Sequence, residues 1–515
     1  MPIPFFGNVL QLRRYNTHKQ FEEIADKWGP VYTIFIPLPT VIITGLEEMR
    51  EALLKKGSVF AGRPTTPTDS LFMNVPNGGI IFSEGEQWAE QRKFAHSTLR
   101  QFGMEQNLME QKIHISIDAL FQQFEQSDLT NIDINWPVQL CVANVVHEIL
   151  FGFHNSYTDC ERIRYFQDRI QKGMEMIRSR ACVLLVQAYP WIRFIPVIGW
   201  WGYGELRAIA VDLLSYVGEQ IENGKKDLNL DQPPDTFVSA YLQEIERRRR
   251  TNNLHSFSEA NLMNVVTDFW LAGMETAAST IRWGLLLITA HPDVQVVCDW
   301  INRLYRTEAT PIVFIRSLGL FAVNKLTPLK RRMIEELNEN IGDRRITMAD
   351  RQVLPYCLAT IHEIQRVANV VTFNVFHKTT RQTTIGGFTI PKGTTVLPQI
   401  TSVLSSEKYF EKAEQFLPER FLDTSQTPPI LKKESLERLV PFSMGKRQCA
   451  GEPIGRAELF LVITRIVQHY VLSPSDERCP PDLEPVFGIL QTPRPFKWKL
   501  EKRISVNEMN NSTIL

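Results

Sequence analysis

A mainly α-helical fold with a minor β portion is the expectation, and three observations carry it. Long periodic apolar stretches run through Glu105 to Phe124, Ile163 to Ser179, Leu206 to Asn223 and Phe257 to Ala290, with acidic or Ser/Thr residues near their starts. Ahead of them, VYTIFI and TVIIT are short β-branched runs punctuated by Pro and Gly, as strands of a small sheet are. Strand-like pieces return in TTIGGFTIPKGTTVLP, where GG and PKG supply the turns.

A chain of 515 residues, 43% hydrophobic and 22% charged, buries a large core and lies far from disordered or collagenous compositions. No Gly/Ser- or Pro-rich linker divides it and no period repeats, so residues 1–515 read as a single domain. Lys plus Arg and Asp plus Glu both total 57, which leaves no net field to gather nucleic acid. Cys141, Cys160, Cys182, Cys298, Cys357, Cys449 and Cys479 are odd in number and form no CxxC pair. That argues against a disulfide framework and against structural zinc, and most should be buried, reduced thiols.

The opening MPIPFFGN carries neither a signal peptide nor the run of about 20 apolar residues that crosses a bilayer, so no membrane anchor is expected in this chain. The aromatic-rich stretch from Ala181 to Tyr203 is interrupted by Pro190, Arg193 and Pro196. With Trp191, Phe194, Trp200 and Trp201 it fits a segment at a membrane interface and a partly buried loop about equally. Arg247 to Arg250 read as a solvated helix end or loop.

The strongest signal is PFSMGKRQCAGEPIGRAELFLVITRIV, which has the form F-x-x-G-x-R-x-C-x-G and runs into an amphipathic apolar segment. Phe442 offers a ring to pack on a macrocycle, Gly445 permits positive φ, Arg447 offers a fork for a carboxylate, and Gly451 lets backbone approach closely. Cys449 falls just before a helix expected to start near Ala450, where free N–H groups and the helix dipole favour a thiolate. A lone cysteine is more often core than ligand, but this many fixed positions in so short a span are hard to obtain by accident.

The passage resembles the haem-binding loop of the cytochrome P-450 family, and the resemblance runs from Pro2 to about Arg503, towards the microsomal drug- and lipid-oxidising branch. It implies the cytochrome P-450 fold, heme b (iron protoporphyrin IX) as cofactor, and Cys449 as the axial ligand of its iron; a thiolate there favours O–O cleavage. It further implies propionate donors at Arg63, Trp88, Arg92, His377 and Arg447. His377 on its own reads about equally as an ordinary turn histidine, whereas Trp88 and Arg92 at i,i+4 are more specific. FWLAGMETAASTIRWGLLLITAHP looks like the family's long distal helix, with Ala272 and Gly273 at the haem and a local opening for oxygen at Gly273. Thr276 would hydrogen-bond the bound oxygen and Glu275 relay protons to it, although a helical Thr otherwise commonly bonds its own backbone. Glu363 and Arg366 of HEIQR share a helix face, and Arg420 of FLPERF is the third member of a structural network.

By the same resemblance the chain is a monooxygenase that inserts one atom of O2 into an apolar lipid, steroid or xenobiotic. Choice of substrate rests on the stretches Pro64 to Gly79, Cys182 to Trp201, Trp270 to Ala277, Val367 to Phe376 and Val486 to Thr492. No GxGxxG fingerprint opens a helix, so electrons are expected from a separate NADPH-dependent cytochrome reductase, with cytochrome b5 a further candidate. Localisation at the cytosolic face of the endoplasmic-reticulum membrane is inherited from the family. A peroxide-using or isomerising haem-thiolate enzyme and a silent haem-binding product are the competing readings; product formation that depends on reductase separates them.

Some positions depart from the pattern. Val296 to Lys330 reads as an insertion of about 35 residues, longer than ordinary connections, with a retained intron or gene-model error ahead of a genuine surface insertion as its source. Ala277 stands where another hydroxyl is usual, and Thr372 and Phe376 where relatives often carry prolines.

Overall fold

The computed structural model describes residues 2–503 other than 4, 5, 14–16, 37, 103–107, 180, 198, 227, 291–328, 487 and 489. The expected insertion therefore lies outside the described residues except for its last two, which open the helix Leu329–Asn340.

The alternating β-branched runs form the sheet expected of them. Val31–Ile36 pairs antiparallel with Leu38–Ile43, which pairs parallel with Thr395–Pro398, and His377–Lys378 closes the far edge. The sheet therefore joins an early part of the chain to residues 377–398, and its edge strand carries His377. The same early region also contains a helix, Thr17–Trp28, which the strand reading overlooked although Phe21, Ile24 and Ala25 have helical spacing.

The periodic stretches form the helices Leu108–Glu125, Glu161–Ser179, Glu205–Lys226 and Glu259–Ala290. Sequence periodicity missed Asn135–Leu150 because nearly every residue of that helix is buried, leaving no polar face to set a period. The long helix Glu259–Ala290 packs against it and against Pro355–Ala368 and Glu452–His469. Close approach is made possible by missing side chains: a Cβ on Gly273 would lie 2.9 Å from Val146, and one on Gly284 3.0 Å from Ile364 and 3.1 Å from Ile463. Each buried Leu, Ile or Val at these crossings contributes about 1.5–3 kcal/mol.

Ala181 to Tyr203 resolves into the helix Ala181–Ala188, a 3-10 turn Pro190–Phe194 and the π turn Gly199–Gly204. Trp191 is 62% and Phe194 74% exposed while Val183, Val186 and Ile192 are buried, so the segment is partly buried with these two aromatic side chains turned outward. The side chains of Trp200 and Trp201 lie outside the description. Arg247 to Arg250 form the last turn of Phe237–Arg250, where Arg248 pairs with Glu90 and Glu244. Of the described cysteines, Cys141 and Cys357 are buried, Cys160 is half-buried, and Cys449 and Cys479 are exposed. Two of these five are buried, so the expectation of mostly buried thiols is not met: Cys160 is half-buried, Cys449 opens to a space and Cys479 lies on a surface turn.

Inside the helical layer, Trp270 donates its indole N–H to Nε2 of His147 over 2.9 Å. Burial, with nearby His154 adding to it, lowers His147 to about 3, whereas an unfolded histidine titrates near 6.5. Between those values the unfolded chain holds the extra proton, so this site stabilises the fold at neutral pH and loses that contribution as pH falls. His147→Gln keeps an acceptor for Trp270 and removes the titration. Calorimetry from pH 7 to pH 5 should find the parent losing thermal stability relative to H147Q.

Candidate functional site

Cys449 sits at the end of a loop closed on itself: its N–H donates to the Phe442 carbonyl over 3.0 Å. Gly445 has φ +76°, and a Cβ there would lie 2.0 Å from the Leu53 carbonyl oxygen, so both conformation and space require glycine. The following helix starts at Glu452, with Gly451 as its N-cap, two residues later than expected. The N–H groups of Gly451 and Glu452 nonetheless hydrogen-bond the cysteine.

Burial outweighs these donors and pushes the Cys449 thiol up, correcting the expectation that the helix start alone favours thiolate. The sulfur is accessible all the same, so it faces a space walled by protein. Gly451 differs from its sequence reading too. Its φ is −87°, and a Cβ would meet only the Cys449 sulfur, at 3.9 Å. No protein backbone needs that space. Phe442 is half-buried, with the Arg456 guanidinium 5.1 Å from its ring centre.

Beside the loop three guanidinium groups gather. Arg447 donates to the carbonyls of Ala61, Ile80 and Ser83. Arg63 donates to Ile81, Val375 and Phe376. Arg92 donates to Gln448. Among the described residues none of the three has a carboxylate within ion-pair distance; nearby Glu84 pairs with Lys378 at 2.9 Å. Burial, then mutual repulsion, lowers Arg447 to about 8 and Arg63 to about 9. Trp88 lies under Arg447, 3.7 Å from ring centre to guanidinium, so it pairs with Arg447 and not with its i+4 neighbour Arg92. Its indole N–H is buried without a partner. His377 donates Nδ1–H to the Phe60 carbonyl over 2.7 Å, and burial with Arg63 and Arg447 holds it well below its ordinary value. Uncompensated cations, an orphaned N–H and a cysteine facing open space fit a ligand with two carboxylates and a metal centre, which haem is.

The distal helix carries Ala272 and Thr276 one turn apart on a face that is open at Ala272 and partly open at Thr276. The Thr276 hydroxyl donates to the Ala272 carbonyl over 2.7 Å. Glu275 points elsewhere: it is buried and accepts from Arg282 at 2.5 Å, from Ser279 at 3.0 Å and from Gln167. Gly273 gives no local opening, for the segment is α-helical throughout and the missing Cβ admits Val146. Arg282 and Gln167 escaped the sequence reading; the i,i+7 spacing of Glu275 and Arg282 was the available signal for the first. The stretches around the pocket are tied together, since Trp283 donates to the Gln491 carbonyl and Gln491 to that of Val370.

Behind the cysteine loop, Glu363 receives both Nε and Nη2 of Arg366 at 2.8 Å and Nε of Arg420 at 3.1 Å. The Leu417 N–H adds a bond at 2.8 Å, and both arginines fill their remaining donors with backbone carbonyls. Glu363→Ala would strand two buried cations, and chemical denaturation should find it about 3–5 kcal/mol less stable.

A profile of the family described as Cytochrome P450 matches residues 1–299 and 318–500. Its gap falls inside the expected insertion. The chain is 32% identical over 501 residues to "Cytochrome P450 2D6" of Homo sapiens, across 96% of this chain and 91% of that protein. It is 30% identical over 503 residues to "Cytochrome P450 2C21" of Canis lupus familiaris, across 96% and 92%. With "Cytochrome P450 2G1" of Oryctolagus cuniculus it shares 32% over 477 residues, across 92% and 86%.

Proposed function

The chain belongs to the cytochrome P450 family, whose members are haem-dependent monooxygenases, and from that premise we propose how its own residues divide the work. Cys449 supplies the thiolate ligand, supported by the N–H groups of Gly451 and Glu452. Arg63, Arg92, His377, Trp88 and Arg447 hold the propionates; Phe442, Gly445 and Gly451 shape the loop against the ring; Ala272 and Gly273 border it on the distal helix. When bound, haem supplies the activation of dioxygen that places one oxygen atom in a substrate C–H bond. The observation that carries this reading is the accessible Cys449 beside the buried guanidinium groups of Arg63 and Arg447 and the half-buried one of Arg92, none with a carboxylate at ion-pair distance among the described residues.

Thr276 spends its hydroxyl proton on the Ala272 carbonyl and keeps its oxygen lone pairs for the open side. That oxygen can accept a hydrogen bond from water on the open side, and the hydroxyl donates there only after it turns away from Ala272. Glu275, ion-paired with Arg282 and held by Ser279 and Gln167, is buried beside that route, and it relays a proton only after turning from this pair and taking one up. Glu363, Arg366 and Arg420 fix the structure behind the loop.

Members of this family take electrons from NADPH–cytochrome P450 reductase and bind apolar substrates. Cytochrome b5 is a second donor in this proposal, and the substrate is a lipid, steroid or xenobiotic. The chain works as a single domain associated with the endoplasmic-reticulum membrane, on its cytosolic face. No described helix is long and apolar enough to cross a bilayer, so within the described residues contact falls to exposed apolar side chains such as Trp191, Phe194 and Val197.

The carbon monoxide difference spectrum of the reduced, haem-loaded chain tests the ligand. The parent should give the strongly red-shifted Soret band of a thiolate, and Cys449→Ala should lack it; a thiolate band in the variant overturns the assignment. Thr276→Ala should retain haem and that band while product per NADPH falls by about tenfold or more and peroxide rises in its place.

A further inference from the structure

The three groups that hold Glu275 differ in where they come from. Ser279 and Arg282 stand one and two turns further along the same helix, bond its Oε1 at 3.0 and 2.5 Å, and move with it as one body. Gln167 comes from the helix Glu161–Ser179 and donates its amide to Oε2. Among the described residues it is the only hydrogen-bond donor to Glu275 from outside the distal helix. It is also the one polar side chain among the buried positions Ile163, Phe166, Gln167 and Ile170. Its neighbour Phe166 meets Trp270 edge to face, 6.3 Å between ring centres, which holds the two helices together at this level.

A buried amide ordinarily fills both of its ends. Gln167 does not: its Oε1 is buried without a partner among the described residues. Leaving that carbonyl unmet costs stability, and a leucine of similar size would avoid the cost. The arrangement makes sense if the carbonyl end serves a second protonation state of the acid. Ionised Glu275 can only accept, and it meets the N–H end of the amide; protonated Glu275 must donate, and half a turn about χ3 presents the carbonyl. The Arg282 cation engages Oε1, so a proton taken up from water goes to Oε2, the oxygen that faces Gln167. A leucine or methionine would offer neither end of the amide, and a lysine only the donor.

We propose that Gln167 is a positioning residue for proton delivery: its amide holds Glu275 Oε2 whether the carboxyl is ionised or protonated, by exchanging its N–H for its carbonyl. The proposal rests on the reading of Glu275 as a proton relay. It requires no contact between Gln167 and either substrate or cofactor.

The test is made on the full haem-loaded chain, with a denaturation curve for each variant. Infrared difference spectra on acidification should contain a carboxylic-acid carbonyl band that Glu275→Gln lacks. That band should move in Gln167→Leu and stay in Arg169→Met, which cuts an ion pair between the same helix and Asp212 without touching Glu275. With reductase, and 7-ethoxycoumarin as probe substrate, Q167L should lower product per NADPH about threefold or more, with peroxide rising and KM within about twofold of the parent. In the E275Q background Q167L should cost nothing further, since it acts through that carboxyl. If Q167L does not fold, Q167M takes its place; if E275Q takes up no haem, E275D identifies the band by shifting it. A parent without such a band, a band unmoved by Q167L, equal losses in R169M, or a further loss on adding Q167L to E275Q overturns the proposal; should the probe not turn over, the infrared outcomes decide. Parental product per NADPH in E275Q overturns the relay reading and this proposal together, whereas a loss in E275Q with parental behaviour of Q167L overturns this proposal alone.

Discussion

Positive charge held without its own counter-charge is the constraint around which this site is organised. Arg63, Arg92 and Arg447 spend their hydrogen bonds on backbone carbonyls, which satisfies geometry and leaves the charge. Burying an unpaired ion costs several kcal/mol, and gathering the buried Arg63 and Arg447 with the half-buried Arg92 adds their repulsion, visible in the lowering of Arg447 and Arg63. A chain that tolerates this is made for a dianionic ligand. Binding haem then relieves a strain that the protein alone carries, so cofactor and fold stabilise each other.

The distal helix mediates between the halves of the site. Its apolar crossings with Asn135–Leu150, Pro355–Ala368 and Glu452–His469 fix it in the core, with glycine wherever a neighbour comes nearest. Its polar residues then divide by face. Ala272 and Thr276 border the open space, Glu275 turns into a buried pair with Arg282, and Asp268 with Asn261 and Asn264 grips the backbone of residues 74–81. One rigid rod thus borders both the open face at Ala272 and Thr276 and the loop that Arg63 and Arg447 bond. The Glu363, Arg366 and Arg420 network is a second buried electrostatic anchor, where the Leu417 N–H and two arginines satisfy the carboxylate.

Much of this was legible from residues alone. The cysteine loop declared itself because Cys449, the positive-φ Gly445 and Arg447 lie at fixed short distances along the chain. Glu363 with Arg366 was readable as a helix pair, and Arg420 joined them by resemblance. Leu108–Glu125, Glu161–Ser179 and Glu205–Lys226 were readable because each keeps a polar face towards water, and Glu259–Ala290, mostly buried, through its length and its resemblance to the family's distal helix. Asn135–Leu150 was not, since burial on all sides erases the period.

What the tertiary structure decided is direction. Sequence put Glu275 beside Thr276, but successive helical positions point about 100° apart, and packing sent the carboxylate to Arg282 and Gln167. Sequence gave Gly273 an opening for oxygen, and the neighbouring helix filled that face with Val146. Asp268 is an ordinary polar residue in an apolar helix until the fold brings the Ile80–Ile81 peptide against it. Chemistry that depends on residues close in the chain is written in the sequence; chemistry that depends on where a side chain faces, or on what a distant loop brings to it, exists only once the helices have packed.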